Sequence, residues 1–317
     1  MPEKIAIVGC GLVGSGWAIV FARAGCEVML FDAQDGAGAR AKQDISRRLD
    51  DLARFQLVQD PSTTLARIHL GNSLADSLAE ASYVQESVFE RVDVKRALFA
   101  EMEPLIASGT IVGSSSSGIP ASAYTDHVGF RERCLVAHPV NPPYLAPIVE
   151  LVPAPWTAKE TIIWTRSLME KVGQTPVEMT REVEGFILNR LQGVLLREAW
   201  SLVEDGLATV DDVDKTISEG LGLRWSFIGP FETIDLNAPQ GVADYAERLG
   251  SLYQRIAASR SHDQPWSPNL IAQVEQQRRS VLPASDLSER MAWRDRRLMA
   301  LARHKRDIEQ QERGDRT

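Results

Sequence analysis

Lys4-Ile5-Ala6-Ile7-Val8-Gly9-Cys10-Gly11-Leu12-Val13-Gly14 stands near the start of the chain, and the fold is read from it. Ile5 to Val8 is a short apolar run of strand type, and Leu12 to Ala24 has helical spacing. Glu27 to Phe31 is again apolar, so the first 31 residues predict a βαβ unit with glycines at the first turn. Each glycine has a separate spatial task. Gly9 permits the tight turn, Gly11 lets backbone approach a pyrophosphate, and Gly14 lets helix and strand pack closely. The amides of Leu12 and Val13 then lie at a helix N-terminus, where unpaired N–H groups and the helix dipole favour an anion.

Asp32 follows Gly14 by 18 residues and closes the second apolar run. A carboxylate there pairs with adenosine ribose hydroxyls and repels a 2′-phosphate, and no Arg or Lys follows until Arg40. The expected cofactor is therefore NAD rather than NADP. The alternative for Asp32 is a solvated turn residue.

Working outward, strands are expected at Tyr83–Glu86, Thr110–Gly113 and Arg133–His138, with helical stretches at 38–56 and Val92–Ile106. This alternation predicts an α/β, Rossmann-type doubly wound and mostly parallel sheet. Leu135–His138 and Ile148–Val152 flank a proline-rich connection, Asn141-Pro142-Pro143-Tyr144-Leu145-Ala146-Pro147, which reads as a hairpin at the sheet edge. A helix, Thr157–Lys171, and a short strand, Thr175–Met179, follow, and from about Glu184 the pattern is helical. The expected domains are 1–183 for the dinucleotide and an all-helical 184–317.

With 317 residues, 44% hydrophobic and 25% charged, the composition is that of a globular protein, and the net charge of -8 argues against nucleic acid as a general partner. Cys10, Cys26 and Cys134 fit neither a disulfide framework nor a zinc motif, so no metal is expected. Cys10 reads either as a small loop-filling side chain or as an oxidation-sensitive thiol. No apolar stretch reaches the ~20 residues that span a bilayer, and no leader pattern precedes the first strand. The expectation is a cytoplasmic protein without membrane contact.

His138 ends an apolar strand, where α/β sheets present ligand sites, and its ordinary pKa suits a general base. If the hairpin folds about Tyr144, Glu150 becomes its cross-strand partner, orienting the ring and stabilising the imidazolium. A water-facing edge glutamate is the other reading. Ser114-Ser115-Ser116-Ser117 follows a strand end and reads as substrate-contacting hydroxyls or as a turn or cap. Asn189 either donates to a substrate oxygen or caps a neighbouring segment.

Together these segments resemble the 3-hydroxyacyl-CoA dehydrogenase superfamily, and within it the λ-crystallin and L-gulonate 3-dehydrogenase branch. The matching motifs are Gly9–Gly14, Glu86-Ser87-Val88-Phe89-Glu90 with Lys95, Ser114–Ser117, Ala137–Tyr144, Val149–Pro153, Gly185–Gln192 and Ser218–Arg224. The resemblance implies that Ser117, His138, Glu150 and Asn189 are catalytic or hold the substrate oxygen, and that Glu90 and Lys95 contact the nicotinamide ribose. It also implies a homodimer and NAD-dependent oxidation of a 3-hydroxyl, L-gulonate first, with 3-hydroxybutyryl-CoA or carnitine as alternatives. A non-catalytic crystallin-like NAD binder is the reading from a different class. Arg224, whose guanidinium matches a carboxylate with two hydrogen bonds, is the candidate for the acid group of a small hydroxy acid, or else a salt-bridge residue.

Overall fold

The computed structural model describes residues 3–260 and 264–314. Its sheet is built from β1 (Lys4–Val8), β2 (Glu27–Phe31), β3 (Ile68–Leu70), β4 (Tyr83–Glu86), β5 (Ile111–Ser114), β6 (Cys134–Pro139), β7 (Ile148–Pro153) and β8 (Thr175–Glu178). The helices between them are α1 (Leu12–Arg23), α2 (Ala37–Arg54), α3 (Pro61–Ala66), α4 (Leu74–Leu78), α5 (Val92–Met102), α6 (Ser122–Thr125) and α7 (Lys159–Lys171). The strand order is β3-β2-β1-β4-β5-β6-β7-β8. Every neighbouring pair is parallel except β6 with β7. The order reverses between β1 and β4, and open α/β sheets bind ligands beyond the strand ends at such a crossover.

Central strands covered on both faces should be continuously apolar, and Ile5 to Val8 are all buried. α1 is buried along most of its length because Gly14 and Gly16 let it approach its neighbours. A Cβ on Gly14 would lie 1.9 Å from the Gly9 carbonyl oxygen, and one on Gly16 would lie 2.7 Å from Pro143 Cδ. α2 has one apolar stripe, Ala41, Ile45, Leu49 and Leu52, at the spacing of a single helical face.

The hairpin differs from its expected place. β8 pairs with β7, so Glu150 lies on an interior strand, and the edge is formed by β8. The expected alternative of a water-facing edge glutamate is thereby corrected: Glu150 is buried.

The remaining helices are α8 (Leu188–Glu204), α9 (Val210–Thr216), α10 (Gly222–Trp225), α11 (Pro230–Leu236), α12 (Val242–Ala258), α13 (Pro268–Val281) and α14 (Leu287–Gly314). The chain forms two compact units. One joins everything up to Arg190 with Met291 onward, and the other is Leu191–Arg290, which is helical throughout its regular structure. The expected division at 183/184 assigned the whole C-terminal region to the helical domain, whereas the compact units place the last helix from Met291 onward with the first unit. Packing explains this placement: Met299 is buried in the core that also holds Leu49, Leu52 and Tyr144, and Leu298 packs against that core. Among the described residues no helix is long and apolar enough to cross a membrane.

Candidate active site

Backbone register brings the site residues of the first unit to one level. Val8, Glu86, Ser114 and Val136 are paired across β1, β4, β5 and β6. One residue further along lie Gly9, Ser87, Ser115 and Ala137. His138 is one position beyond and faces Glu150 on β7.

The glycine turn has the shape its three glycines imply. Gly9 has φ +102°, and a Cβ there would also lie 2.5 Å from the Ser87 carbonyl oxygen. Gly11 instead faces open space, with nothing within 4 Å of a Cβ. It caps α1 without a side chain, so the amides of the first turn remain for a ligand. Asp32 accepts from the Cys10 amide at 2.7 Å and the Gln34 amide at 2.9 Å, which fixes its carboxylate beside the loop. An open glycine face, unspent helix amides and an anchored carboxylate fit a dinucleotide whose ribose carries free hydroxyls. Burial, reinforced by Asp32, pushes the Cys10 thiol up to about 12. At neutral pH it is a protonated filler, as the loop-filling reading requires.

Hydrogen bonding separates the four serines. Ser114 donates to Glu86 at 2.5 Å. Ser115 lies within hydrogen-bonding distance of Trp17, Gln85 and Ser87, and Ser116 donates to Glu90 at 2.7 Å. Ser117 alone of the four is exposed, and among the described residues its hydroxyl has no partner. Glu90 Oε1 also accepts from the amides of Ser117 and Gly118 at 2.8 and 3.1 Å, which holds the segment in place. Partial burial opposes ionisation of Glu90, but the Ser116 hydroxyl, Lys95 and these amides outweigh it and hold its carboxyl below the ordinary range.

In the hairpin, His138 Nδ1 lies 2.7 Å from Glu150 Oε2, with the two residues 5% and 3% exposed. Glu150 Oε1 accepts from the amides of Ile187 and Leu188 at 2.8 and 2.9 Å. Those amides open α8, and they are aimed by two consecutive left-handed residues, Gly185 (φ 76°) and Phe186 (φ 52°). Positive φ is costly for a bulky side chain; Phe186 is fully buried and its ring packs 5.7 Å from the His138 ring. Burial works against the Glu150 charge, yet the bonds from His138, Leu188 and Ile187 together hold its carboxyl below the ordinary value. An ionised Glu150 can only accept, so Nδ1 carries a proton, and in the neutral ring Nε2 has the lone pair. Such an imidazole can take a proton from a hydroxyl. Asn189, in the first turn of α8, donates from Nδ2 to the Ser117 carbonyl at 2.5 Å, which ties the start of this helix to the serine segment.

Residues 4–183 match the NAD-binding domain of 3-hydroxyacyl-CoA dehydrogenase, and residues 185–281 match its C-terminal domain. The chain belongs to this dehydrogenase family. It is 37% identical over 312 residues to the λ-crystallin of Oryctolagus cuniculus, covering 97% of this chain and 98% of the relative. It is 36% identical over 261 residues to an L-carnitine dehydrogenase of Streptomyces coelicolor, covering 81% of each. Among solved structures, a 5-formyl-3-hydroxy-2-methylpyridine 4-carboxylic acid 5-dehydrogenase, described as an NAD+-dependent dismutase, superposes with a TM-score of 0.82 at 28% identity, over 98% of this chain and 99% of that one. The λ-crystallin branch is the one the motifs indicate. As a 3-hydroxyacyl-CoA dehydrogenase family member, the protein is an NAD-dependent enzyme acting on a CH–OH group.

Two further expected positions, Lys95 and Arg224, have contrasting surroundings. Lys95 is only 1% exposed, with Nζ 2.9 Å from both Glu86 oxygens, 3.4 Å from Ser114 Oγ and 3.5 Å from Glu90 Oε2. Enclosed in this way, its ammonium is held among Glu86, Ser114 and Glu90. Arg224 lies in the second unit, exposed on α10 directly after the π-helical segment Ile217–Leu221.

The Glu86–Lys95 pair escaped the sequence reading as a structural unit, although a signal was present. Lys95, Phe99 and Met102 share one buried helical face, and a lysine in that pattern needs an internal partner.

Proposed function

We propose that the enzyme oxidises the 3-hydroxyl of a small free hydroxy acid, L-gulonate first among the candidates. The observation that carries the reading is the buried His138–Glu150 dyad with an unspent Nε2. In this proposal Nε2 takes the hydroxyl proton, and the imidazolium so formed is stabilised by the carboxylate 2.7 Å away. Bound NAD supplies the hydride acceptor. Ser117, with its free hydroxyl, and Asn189, with a second amide hydrogen, position the reacting oxygen. Asp32 and the glycine turn hold the adenosine and pyrophosphate portions, and Glu90 meets the nicotinamide ribose through its remaining oxygen. Arg224 is proposed as the partner of the acid group on the chemistry of its guanidinium.

Relatives that work on small carboxylates support this substrate class: L-carnitine dehydrogenases and the pyridine carboxylic acid dehydrogenase both handle molecules without CoA. The CoA reading remains the competitor because 3-hydroxybutyryl-CoA dehydrogenase shares the fold at 28% identity. A non-catalytic binder is disfavoured, since a purely architectural protein gains nothing from a buried proton-accepting dyad. The test is a steady-state panel of L-gulonate, 3-hydroxybutyrate, carnitine and 3-hydroxybutyryl-CoA with NAD and NADP. The highest kcat/KM on L-gulonate with NAD is expected; preference for the CoA ester would refute the free-acid reading.

We further propose that the helical unit mediates a homodimer. Leu191 and Val194 on α8 and Phe231 on α11 are 64%, 72% and 79% exposed, large apolar side chains that a partner surface would cover. Sedimentation equilibrium at micromolar concentration should give twice the chain mass.

A further inference from the structure

The level just beyond the paired strand ends carries a polar chain that the proposed reaction leaves unused. Tyr83 donates its phenol to Gln85 Oε1 at 2.8 Å. Gln85 Nε2 donates to Ser115 Oγ at 2.7 Å and to the Ala137 carbonyl at 3.3 Å. Trp17 Nε1, from α1, donates to the same Ser115 oxygen at 3.2 Å. Ser115 Oγ and Ser87 Oγ are 2.8 Å apart. The chain therefore runs from the sheet interior to the glycine turn, touching on the way the carbonyl that precedes His138.

Its direction follows from valence. Tyr83 is fully buried, and burial pushes its phenol well above its ordinary range, so it remains a donor. That donation occupies Gln85 Oε1 and orients the amide with Nε2 toward Ser115. A serine oxygen has two lone pairs and one hydrogen. With both lone pairs of Ser115 taken by Gln85 and Trp17, its own hydrogen must go to Ser87. Ser87 thus becomes an acceptor toward Ser115, and its own hydrogen has no partner among the described residues. It is half-buried, and its carbonyl is the atom against which Gly9 packs.

We infer that Ser87 is a cofactor-binding residue, whose hydroxyl donates to an acceptor oxygen of NAD under a polarity set by Tyr83, Gln85, Trp17 and Ser115. The location supports NAD as the recipient. Ser87 ends β4 beside β1, at the crossover of the strand order, next to the glycine turn with its open face at Gly11. Gln85 acts through Ser115 and is a positioning residue.

The test is the affinity of the full chain for NAD and NADH, measured by calorimetry without substrate. Ser87→Ala should weaken binding about fivefold, the scale of one neutral hydrogen bond. Unchanged affinity would overturn the assignment. Gln85→Glu reverses the relay, because a carboxylate there accepts the Ser115 hydrogen and Ser87 must then donate inward. It should weaken NAD binding in the wild-type background and have no further effect in Ser87→Ala. Equal losses in both backgrounds would overturn the relay. If Gln85→Glu does not fold, Gln85→Met, which lacks the donor, is put through the same cycle with the same two outcomes.

Discussion

Glu86 and Glu150 are both buried carboxylates facing a nitrogen base, yet they have opposite characters. Glu86 accepts from Lys95 with both oxygens, from Ser114 with one, and from the Val88 amide at 2.7 Å. The ammonium of Lys95 is spent on the same group of neighbours. Glu150 spends one oxygen on two helix amides and the other on a ring that has a second nitrogen. The distinction between scaffold and chemistry therefore lies in the partner's unused valence, since burial and pairing distance are nearly the same in the two cases.

The largest test of this contrast is His138→Ala. It should lower kcat by about 10²–10⁴-fold, the range for loss of a general base, while NAD affinity in calorimetry stays close to wild type. Turnover retained within a few-fold would remove His138 from the reaction. On the other side, Lys95→Met strands the Glu86 charge in the interior and should cost about 3–5 kcal/mol in denaturant unfolding, as breaking a buried pair does. If Lys95→Met instead leaves stability intact and abolishes only turnover, the two carboxylates do not differ in the way argued.

A smaller effect concerns pH. The folded-state pKa of Glu150 is held below its ordinary value. Its contribution to stability is therefore fully present above the unfolded pKa, about 4.3 for a glutamate, and is lost as pH falls through the lower folded value. Stability should decline with acidification below about pH 4.3, and Glu150→Gln should flatten that part of the profile. An unchanged slope in the variant would assign the decline to other carboxylates, Glu90 first. The smallest effect is expected at Cys10: with its thiol pushed up to about 12, it should resist alkylation by iodoacetamide in the native protein at neutral pH.

Where the sequence was read well, local constraint was strong. Gly9, Gly11 and Gly14 each had a separate backbone reason, and the facing of His138 and Glu150 follows from an even separation about Tyr144. Ser114–Ser117 could not be separated in the same way, because their partners Glu86, Gln85, Trp17 and Glu90 come from other elements. The left-handed Phe186 was equally hidden, since its conformation is sustained by burial beside His138 rather than by local preference. Nor does the charged sequence around Met299 reveal which core its apolar side chains join.

The antiparallel pairing of β6 and β7 makes the proline-rich connection a ruler. Side chains alternate across a strand with period two, so deleting one residue from 140–147 without realignment would turn Leu151 toward His138 in place of the carboxylate. A change of a single residue in length would disconnect the base from its acid even if every side chain of the site were preserved.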